Sequence, residues 1–377
     1  MHEVDLTDPT VMADPFTAYN RAREAGPVVR LNVPGMPMYA LTRHDDARAM
    51  LTDPRFAIRS ASFAGIPGVP DTYRTYLRTM SEMDGPDHLW LRRLAAPGFT
   101  ARRAQDFRSA VEPVVDKLLA GLPAEPDLLR DFARPLPMLV ICELVGIPEA
   151  DRADWVEWGA IVAAGDGKRF GEAIPGIVEG AKALVASRPE TGVVADLVRQ
   201  EDRLTDTELV TLVWHIVLAG QTPANLIANA VAELWARPDD LAALRAEPAL
   251  WPGAVEELMR WCGPQLLTVP RFAAEDVDVH GVRIAAGEMV TVAIAAANRD
   301  PRVFADPDRF DVRRAAATQL GFGHGPHFCL GAAHARVQTE VALAALASRD
   351  ITLAGEPVRA MDPGTWRLTE LPVRTGV

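Results

Sequence analysis

The chain has 377 residues, with 39 Lys and Arg against 51 Asp and Glu; the resulting net charge of −12 argues against nonspecific nucleic-acid binding. Its three cysteines, Cys142, Cys262 and Cys329, are scattered and form neither a disulfide framework nor a zinc pattern, which suits a reducing cytoplasm. The acidic start Met1-His2-Glu3-Val4-Asp5 is unlike a secretory signal, and the most apolar run, Leu209 to Gly220, is shorter than a spanning helix. A soluble cytoplasmic protein without membrane contact is expected.

Residues 14–25 read as a first helix after Asp14-Pro15, Met38–Thr42 as a short strand and Asp45–Leu51 as a helix. Residues 56–80 hold Gly65, Pro67, Gly68 and Pro70 and predict a loop with at most short helices. Loops of this length are usually functional or disordered, and this one carries Phe63, Ile66, Val69, Tyr73 and Tyr76. Residues 88–96, 107–121, 136–145 and 151–164 show helical spacing of apolar residues. Asp206 to Arg237 is the longest helical pattern, opened by the capping box Thr205-x-x-Glu208 and stopped by Pro238. At 1.5 Å per residue it spans roughly 45 Å, and its apolar character on most faces sends it through the core. Val277–Val279 and Glu288–Val292 read as strands around Gly281 and Gly287.

Near the C-terminus stands Gly321-Phe322-Gly323-His324-Gly325-Pro326-His327-Phe328-Cys329-Leu330-Gly331, a lone cysteine in a glycine-broken loop. A thiolate is a strong iron ligand, and glycines let a backbone approach a flat macrocycle where a Cβ would clash. The helix-compatible stretch from Leu330 offers its positive dipole end to a thiolate. On composition alone, a buried structural cysteine beside a turn is the better explanation, since free cysteines are usually buried and inert.

The spacing decides between them. Those residues resemble the haem-ligand loop of the cytochrome P450 superfamily, F-G-x-G-x-H-x-C-x-G, with every fixed position met in order. Glu257-Leu258-Met259-Arg260 is similar to the family's ExxR helix and Pro307-Asp308-Arg309-Phe310 to its PxRF turn. Met83-Asp84-Gly85-Pro86-Asp87-His88 with Leu91-Arg92-Arg93 resembles the bacterial C-helix region, and Ala297-Asn298-Arg299-Asp300-Pro301 another habitual stretch. The resemblance covers essentially the whole chain. It implies a mainly α fold with a smaller β region, a triangular prism-like helical bundle around haem. Length alone allows two or three domains, but no linker or repeat divides the sequence, and residues 1–377 are expected to form one domain.

By the same resemblance Cys329 is the axial ligand of haem b (iron protoporphyrin IX), with Phe322 packed over it and Gly323 and Gly325 folding the loop back. A thiolate pushes electron density onto the iron and favours O–O cleavage. His88, Arg92, Arg271 and His327 match positions that contact the haem propionates. His88 and Arg92, four apart, project from one face of a helix. Ala219, Gly220 and Gly331 match further cofactor contacts. Glu257 and Arg260, joined by Arg309, are expected to form a buried ion network that fixes the backbone around the haem loop.

The sequence departs from the family where oxygen is handled. Many members read A-G-x-[D/E]-T-T, whereas this chain reads Leu218-Ala219-Gly220-Gln221-Thr222-Pro223-Ala224-Asn225. Aligned from Asn225 backwards, Thr222 takes the alcohol position and Gln221 the acid position; aligned from Ala219 forwards, the acid itself is missing. Both remove the carboxylate, and a glutamine amide orients water without exchanging a proton near neutral pH. The catalytic candidates are therefore Thr222 and Gln221, with water carrying protons through Thr222. Pro223 has no N–H for the Ala219 carbonyl, and inside a helix it costs about 3 kcal/mol unless the site already bends. His334 and Gln338 stand where Leu and Glu are frequent. Trp214 and His215, one to two turns before Ala219, are candidates to face a substrate, although a lone histidine on an apolar helix is more often a satisfied core residue. Leu266, Leu267, Val269 and the aromatics of the 56–80 loop point to a mainly apolar substrate.

The expected function is a monooxygenase acting on a small hydrophobic or carrier-tethered substrate, a bacterial secondary metabolite, with electrons from a ferredoxin and its reductase. Arg92, Arg93, Arg102, Arg103 and Arg336 are either a docking patch for an acidic ferredoxin or solvated surface arginines. A monomer is the family expectation. With no acid beside Thr222, the same fold could act as a peroxygenase or in oxidative coupling; a noncatalytic haem binder is the third class, with no sensor or DNA-binding segment attached to favour it.

Overall fold

The computed structural model describes residues 1–33, 35–58, 66–164, 167–200 and 203–376. Phe63 and Gly65 of the predicted loop lie outside the described residues. The chain divides into two compact units, each assembled from three separated stretches: residues 1–60, 228–329 and 356–371, and residues 61–227, 330–355 and 372–377.

The first unit holds most of the β structure. Its six-stranded sheet runs, in spatial order, Glu3–Asp5, Val28–Asn32, Met38–Leu41, Met289–Val292, Arg271–Ala273 and Phe56–Ala57. Met38–Leu41 pairs in parallel with Met289–Val292, Tyr39 opposite Val290, whereas Arg271–Ala273 pairs antiparallel with that same strand. Val28, Leu41, Phe56, Val290, Val292 and Ile294 form its buried core with Met50 and Leu51 of the His44–Thr52 helix. The first predicted helix is present as Pro15–Ala25, with Asp14 accepting from Thr17 N at 3.1 Å and Pro15 at a position that needs no N–H.

The second unit is almost wholly helical, around a core that includes Leu77, Met138, Trp155, Ile174, Val178, Leu212 and Val217. The predicted helices appear as Gly85–Ala95, Arg108–Ala120, Pro135–Val145 and Arg152–Ala164. A 20-residue helix, Gly167–Ala186, was not expected, because Pro175 and repeated glycines disguise it. Those glycines are packing devices. A Cβ on Gly171 would collide with the Pro67 carbonyl oxygen, and Cβ atoms on Gly176 and Gly180 would meet the Trp158 ring at 2.9 and 3.1 Å. The loop around Pro67 therefore lies directly on this helix.

The long helix begins as predicted: Thr205 Oγ1 accepts from Glu208 N at 3.2 Å, and Glu208 Oε2 accepts from Thr205 N at 2.8 Å. It then breaks into Asp206–Ala219 and Pro223–Trp235, separated by Gly220–Thr222. Pro223 is thus not an interior proline but the first residue of a new helix, where its missing N–H is one of the groups without an intrahelical partner anyway. Pro238 likewise opens the following helix, Pro238–Ala246. Taken together, Asp206–Trp235 is long and apolar enough to cross a membrane, contrary to the shorter apolar run read from sequence, yet 72 % of its most apolar window is buried inside the protein. That burial marks a core helix.

Candidate active site

In the first unit the cysteine loop is built on the Trp251–Cys262 helix. Glu257 and Arg260 lie three apart on its inner face, with side chains wholly buried. Arg260 Nε donates to Glu257 Oε2 at 2.6 Å and Nη2 to Oε1 at 2.8 Å. The remaining Arg260 donors reach the carbonyls of Asn298 (3.0 Å), Pro307 (2.8 Å) and Arg309 (3.3 Å), while Glu257 Oε1 accepts from Asp311 N at 3.0 Å. One ion pair thus ties two chain segments, at Asn298 and at Pro307–Asp311, to one helix. The second cation is Arg314, whose Nε donates to Glu257 Oε1 at 3.2 Å. The expectation that Arg309 would join the pair is corrected: its guanidinium turns outward to Asp311, and only its carbonyl enters the network. Adjacent arginines in Asp311-Val312-Arg313-Arg314 gave no sequence signal for which one is buried; Arg313 points away to Glu247.

From that anchor the loop follows by backbone bonds. Asn298 Oδ1 accepts from Leu320 N at 2.7 Å, Gly323 N donates to Leu320 O at 2.8 Å, and Cys329 N donates to Phe322 O at 2.8 Å. Gly323 and Gly325 adopt φ of +73° and +72°, values a Cβ makes costly, so the loop folds back as expected. Phe322 is buried, its ring 6.4 Å from that of Phe328. Gly325 abuts the end of the His44–Thr52 helix, where a Cβ would stand 3.1 Å from Leu51 O. Arg271, buried on its strand, donates Nη1 to that same Leu51 oxygen at 3.0 Å. Arg271 and the cysteine loop therefore share one helix end. His327 sits in the short turn Gly325–His327 and is half-buried.

In the second unit, Gly85–Ala95 opens with Asp84 accepting from Gly85 N and carries buried His88 and half-buried Arg92 four residues apart, on one face. Gly331 precedes the Ala332–Ala347 helix, and the space where its Cβ would stand is open.

At the helix break, Gly220 N bonds Ile216 O at 3.1 Å, and Thr222 N reaches back only three residues to Ala219 O at 3.3 Å. Ala219 O is the carbonyl that Pro223 leaves without its usual donor, and Thr222 Oγ1 satisfies it as well, at 3.0 Å. The hydroxyl proton of Thr222 is spent on the kink; its lone pairs remain for accepting. Gln221 is buried and Thr222 exposed. Gly220 makes room for Ile141 of the Pro135–Val145 helix, whose Cγ1 would lie 2.6 Å from an added Cβ. Gly220→Ala is therefore expected to lower stability by about 1–3 kcal/mol through overpacking. Pro223→Ala is expected to change it by less than about 1 kcal/mol, since the proline already occupies a tolerant first position. Urea denaturation of the two variants checks the contrast.

His215 precedes this break by one and a half turns. Its Nδ1 is enclosed without a hydrogen-bond partner, and burial pushes the imidazole down to about 4, so the ring is neutral at pH 7. His334 behaves similarly on the Ala332–Ala347 helix: wedged against Phe99 and Phe107, both ring nitrogens lack partners and burial pushes it to about 4. Gln338, one turn on, has an unpartnered Oε1. The five-arginine patch is smaller than expected in charge. Arg103 is ion-paired with Asp196, and Arg102 lies 3.9 Å from Asp106.

The residues fit a haem. Of the three cysteines only Cys329 is exposed; burial pushes the Cys142 thiol up to about 12 and holds Cys262 well above the usual range, so neither is available as a thiolate. Beside Cys329 in the same loop Phe328 is exposed as well.

Comparison with known proteins agrees with that chemistry. The family described as Cytochrome P450 matches residues 179–349. The cytochrome P450 monooxygenase PikC of Streptomyces venezuelae is 39 % identical over 96 % of this chain and 91 % of its own length. The mycinamicin IV hydroxylase/epoxidase of Micromonospora griseorubida is 40 % identical over 88 % of this chain and 87 % of its own. Among solved structures, P450BioI in complex with a hexadec-9Z-enoic acid-ligated acyl carrier protein superimposes with a TM-score of 0.88 at 30 % identity, covering 97 % of this chain and all of that one.

Proposed function

This chain belongs to the cytochrome P450 family as a monooxygenase, and from that premise we propose that it oxidises a mainly apolar secondary metabolite, with Cys329 as the axial ligand of haem b. The observation that carries the assignment is the exposed Cys329 in a loop fixed by the buried Glu257–Arg260 pair. When bound, the haem supplies oxygen activation and insertion, favoured by electron push from the thiolate. The chain's own residues do the rest. His88, Arg92, Arg271 and His327 neutralise the propionates, and Ala219, Gly220, Phe322 and Gly331 shape the cofactor's surroundings. Residues 1–377 act as one catalytic domain, a soluble cytoplasmic monomer served by a ferredoxin and its reductase. Mycinamicin-like molecules and carrier-tethered acyl chains are both compatible substrates, by analogy with the mycinamicin IV hydroxylase and with P450BioI bound to its acyl carrier protein.

Proton delivery differs from the common family scheme. Thr222 Oγ1 donates to Ala219 O, so it accepts a proton from water only by rotating or by passing on its own, and Gln221 orients that water without exchanging protons. Thr222→Ala is expected to lower product formed per electron consumed severalfold when the enzyme is driven by ferredoxin, and to leave peroxide-driven turnover near wild type. Unchanged coupling would remove Thr222 from the relay. That result, with efficient peroxide-driven turnover, would favour the alternative reading as a peroxygenase or oxidative-coupling enzyme, which the missing carboxylate beside Thr222 already allows.

A further inference from the structure

We propose that the first unit carries a second ligand site, a cleft that binds a free apolar α-amino acid. The ligand's carboxylate meets Arg299, its ammonium meets Asp308, and its side chain lies against aromatic rings. The site goes beyond the oxidation reaction and uses none of the residues assigned to haem or to proton delivery. The cleft encloses about 390 Å³ beside the Pro15–Ala25 helix, with Phe16, Trp261 and Trp366 among its walls.

Three observations carry it. First, Arg299 is a buried cation with too few bonds. Its residue is only 7 % accessible, and its guanidinium packs 4.1 Å from the centre of the Phe16 ring and 4.0 Å from that of Trp261. Of its five N–H groups only one makes a hydrogen bond among the described residues, from Nη2 to Trp261 O at 3.1 Å. Nε is enclosed without a partner, whereas Nη1 stops 3.6 Å from Asp308 Oδ1, too far for a hydrogen bond. Nη1 is the donor that a ligand reaches, because it is turned toward Asp308, whose side chain is 60 % accessible. Burial pushes the guanidinium down to about 10, so it is charged at pH 7.

Second, an acceptor stands beside that donor. Asp308 Oδ1 accepts from Asn20 Nδ2 at 2.9 Å, and no hydrogen bond reaches Oδ2 among the described residues. A plain anion would meet Arg299 but be repelled by Asp308 and by Asp14 on the same wall, and a plain cation would be repelled by Arg299. An α-amino acid carries both charges about 3 Å apart on one carbon, which matches a donor and an acceptor 3.6 Å apart. Glu233, the remaining carboxylate of the wall, is already taken by Trp261 Nε1 at 2.9 Å, Arg237 at 2.7 Å and Arg359 at 3.5 Å. Third, the walls beside this pair are aromatic and rigid. Phe16 and Trp261 are half-buried, and Phe16 stands edge-on to Trp366 at 5.1 Å between centroids. Such rings take an apolar side chain and give little to a polar one.

The test titrates haem-loaded enzyme by calorimetry with L-leucine and L-phenylalanine. Each is paired with the two molecules that lack one charge: 4-methylpentanoate and 3-methylbutylamine, 3-phenylpropanoate and 2-phenylethylamine. The Soret band is recorded on the same samples, since an amine that reaches the iron shifts it. At least one amino acid is expected to bind tenfold or more tightly than both of its truncated forms, the worth of one charge-assisted hydrogen bond, with the Soret band unmoved. Asp308→Asn, an exposed and nearly isosteric change, brings that amino acid to the level of its carboxylate form. Arg299→Lys keeps the charge but not the fork and weakens the amino acid and the carboxylate together. The proposal is overturned by amino acids that bind no better than their truncated forms, by a preference that survives in Asp308→Asn, or by binding seen only with a Soret shift.

Discussion

Arg260→Ala is expected to yield a protein that loses about 3–5 kcal/mol of stability and loads little haem. Total stability of a folded protein is about 5–15 kcal/mol, so the loss is a large share of the whole. The size follows from what Arg260 holds. Its guanidinium, fully enclosed, makes two bonds to Glu257 and one each to the carbonyls of Asn298, Pro307 and Arg309. Removing it strands the Glu257 carboxylate with Arg314 as its only remaining cation among the described residues and takes the Arg260 donor from the Asn298 and Pro307 carbonyls, while Arg309 O keeps Arg314. Arg260→Lys keeps the charge but not the fork, and falls between the two. Urea midpoints of the apo and haem-loaded forms check this. A midpoint for Arg260→Ala within about 1 kcal/mol of wild type would show that the pair is dispensable and that another feature fixes the loop.

Cys329→Ser is the opposite case, with little effect on folding and a complete effect on chemistry. Cys329 is exposed, and exposed substitutions usually change stability by no more than about 0.5 kcal/mol. Its hydroxyl does not ionise at neutral pH as a thiol near iron does, so the thiolate signature of the ferrous carbon monoxide complex and the turnover both disappear. Cys142→Ser and Cys262→Ser are the controls and keep the signature, because burial holds both thiols protonated. A thiolate band persisting in Cys329→Ser would place the ligand elsewhere.

Much of this was legible in the sequence, and the exceptions share a physical origin. The cysteine loop was readable because its constraints are local: glycines at positive φ and a cysteine at fixed spacing leave the same trace wherever they occur. The capping box at Thr205 and Glu208 was readable for the same reason. Contacts between distant segments were not. Nothing near Arg314 in the sequence says that it reaches Glu257, 57 residues away, in place of Arg309. Gly220 matched a cofactor contact by resemblance, and nothing near it in the sequence says that it also makes room for Ile141. Pro223 read as a kink within one long helix; with the helix broken at Gly220–Thr222, the same residue is a start signal. The glycine-rich Gly167–Ala186 helix escaped notice because low helix propensity was offset by tight packing onto Trp158 and the Pro67 carbonyl.

The way each unit is stitched from separated stretches sets the timetable of biosynthesis. Met38–Leu41 cannot meet its parallel neighbour Met289–Val292 until roughly 250 more residues have left the ribosome. At about 5–20 residues per second that is a wait of roughly 10–50 s, during which the N-terminal hairpin presents an open edge. The second unit waits longer, since Val373–Thr375 closes against Ile351–Leu353 and Val373 N also bonds Pro126 O. The nascent chain therefore keeps unpaired edges until these late strands have been made.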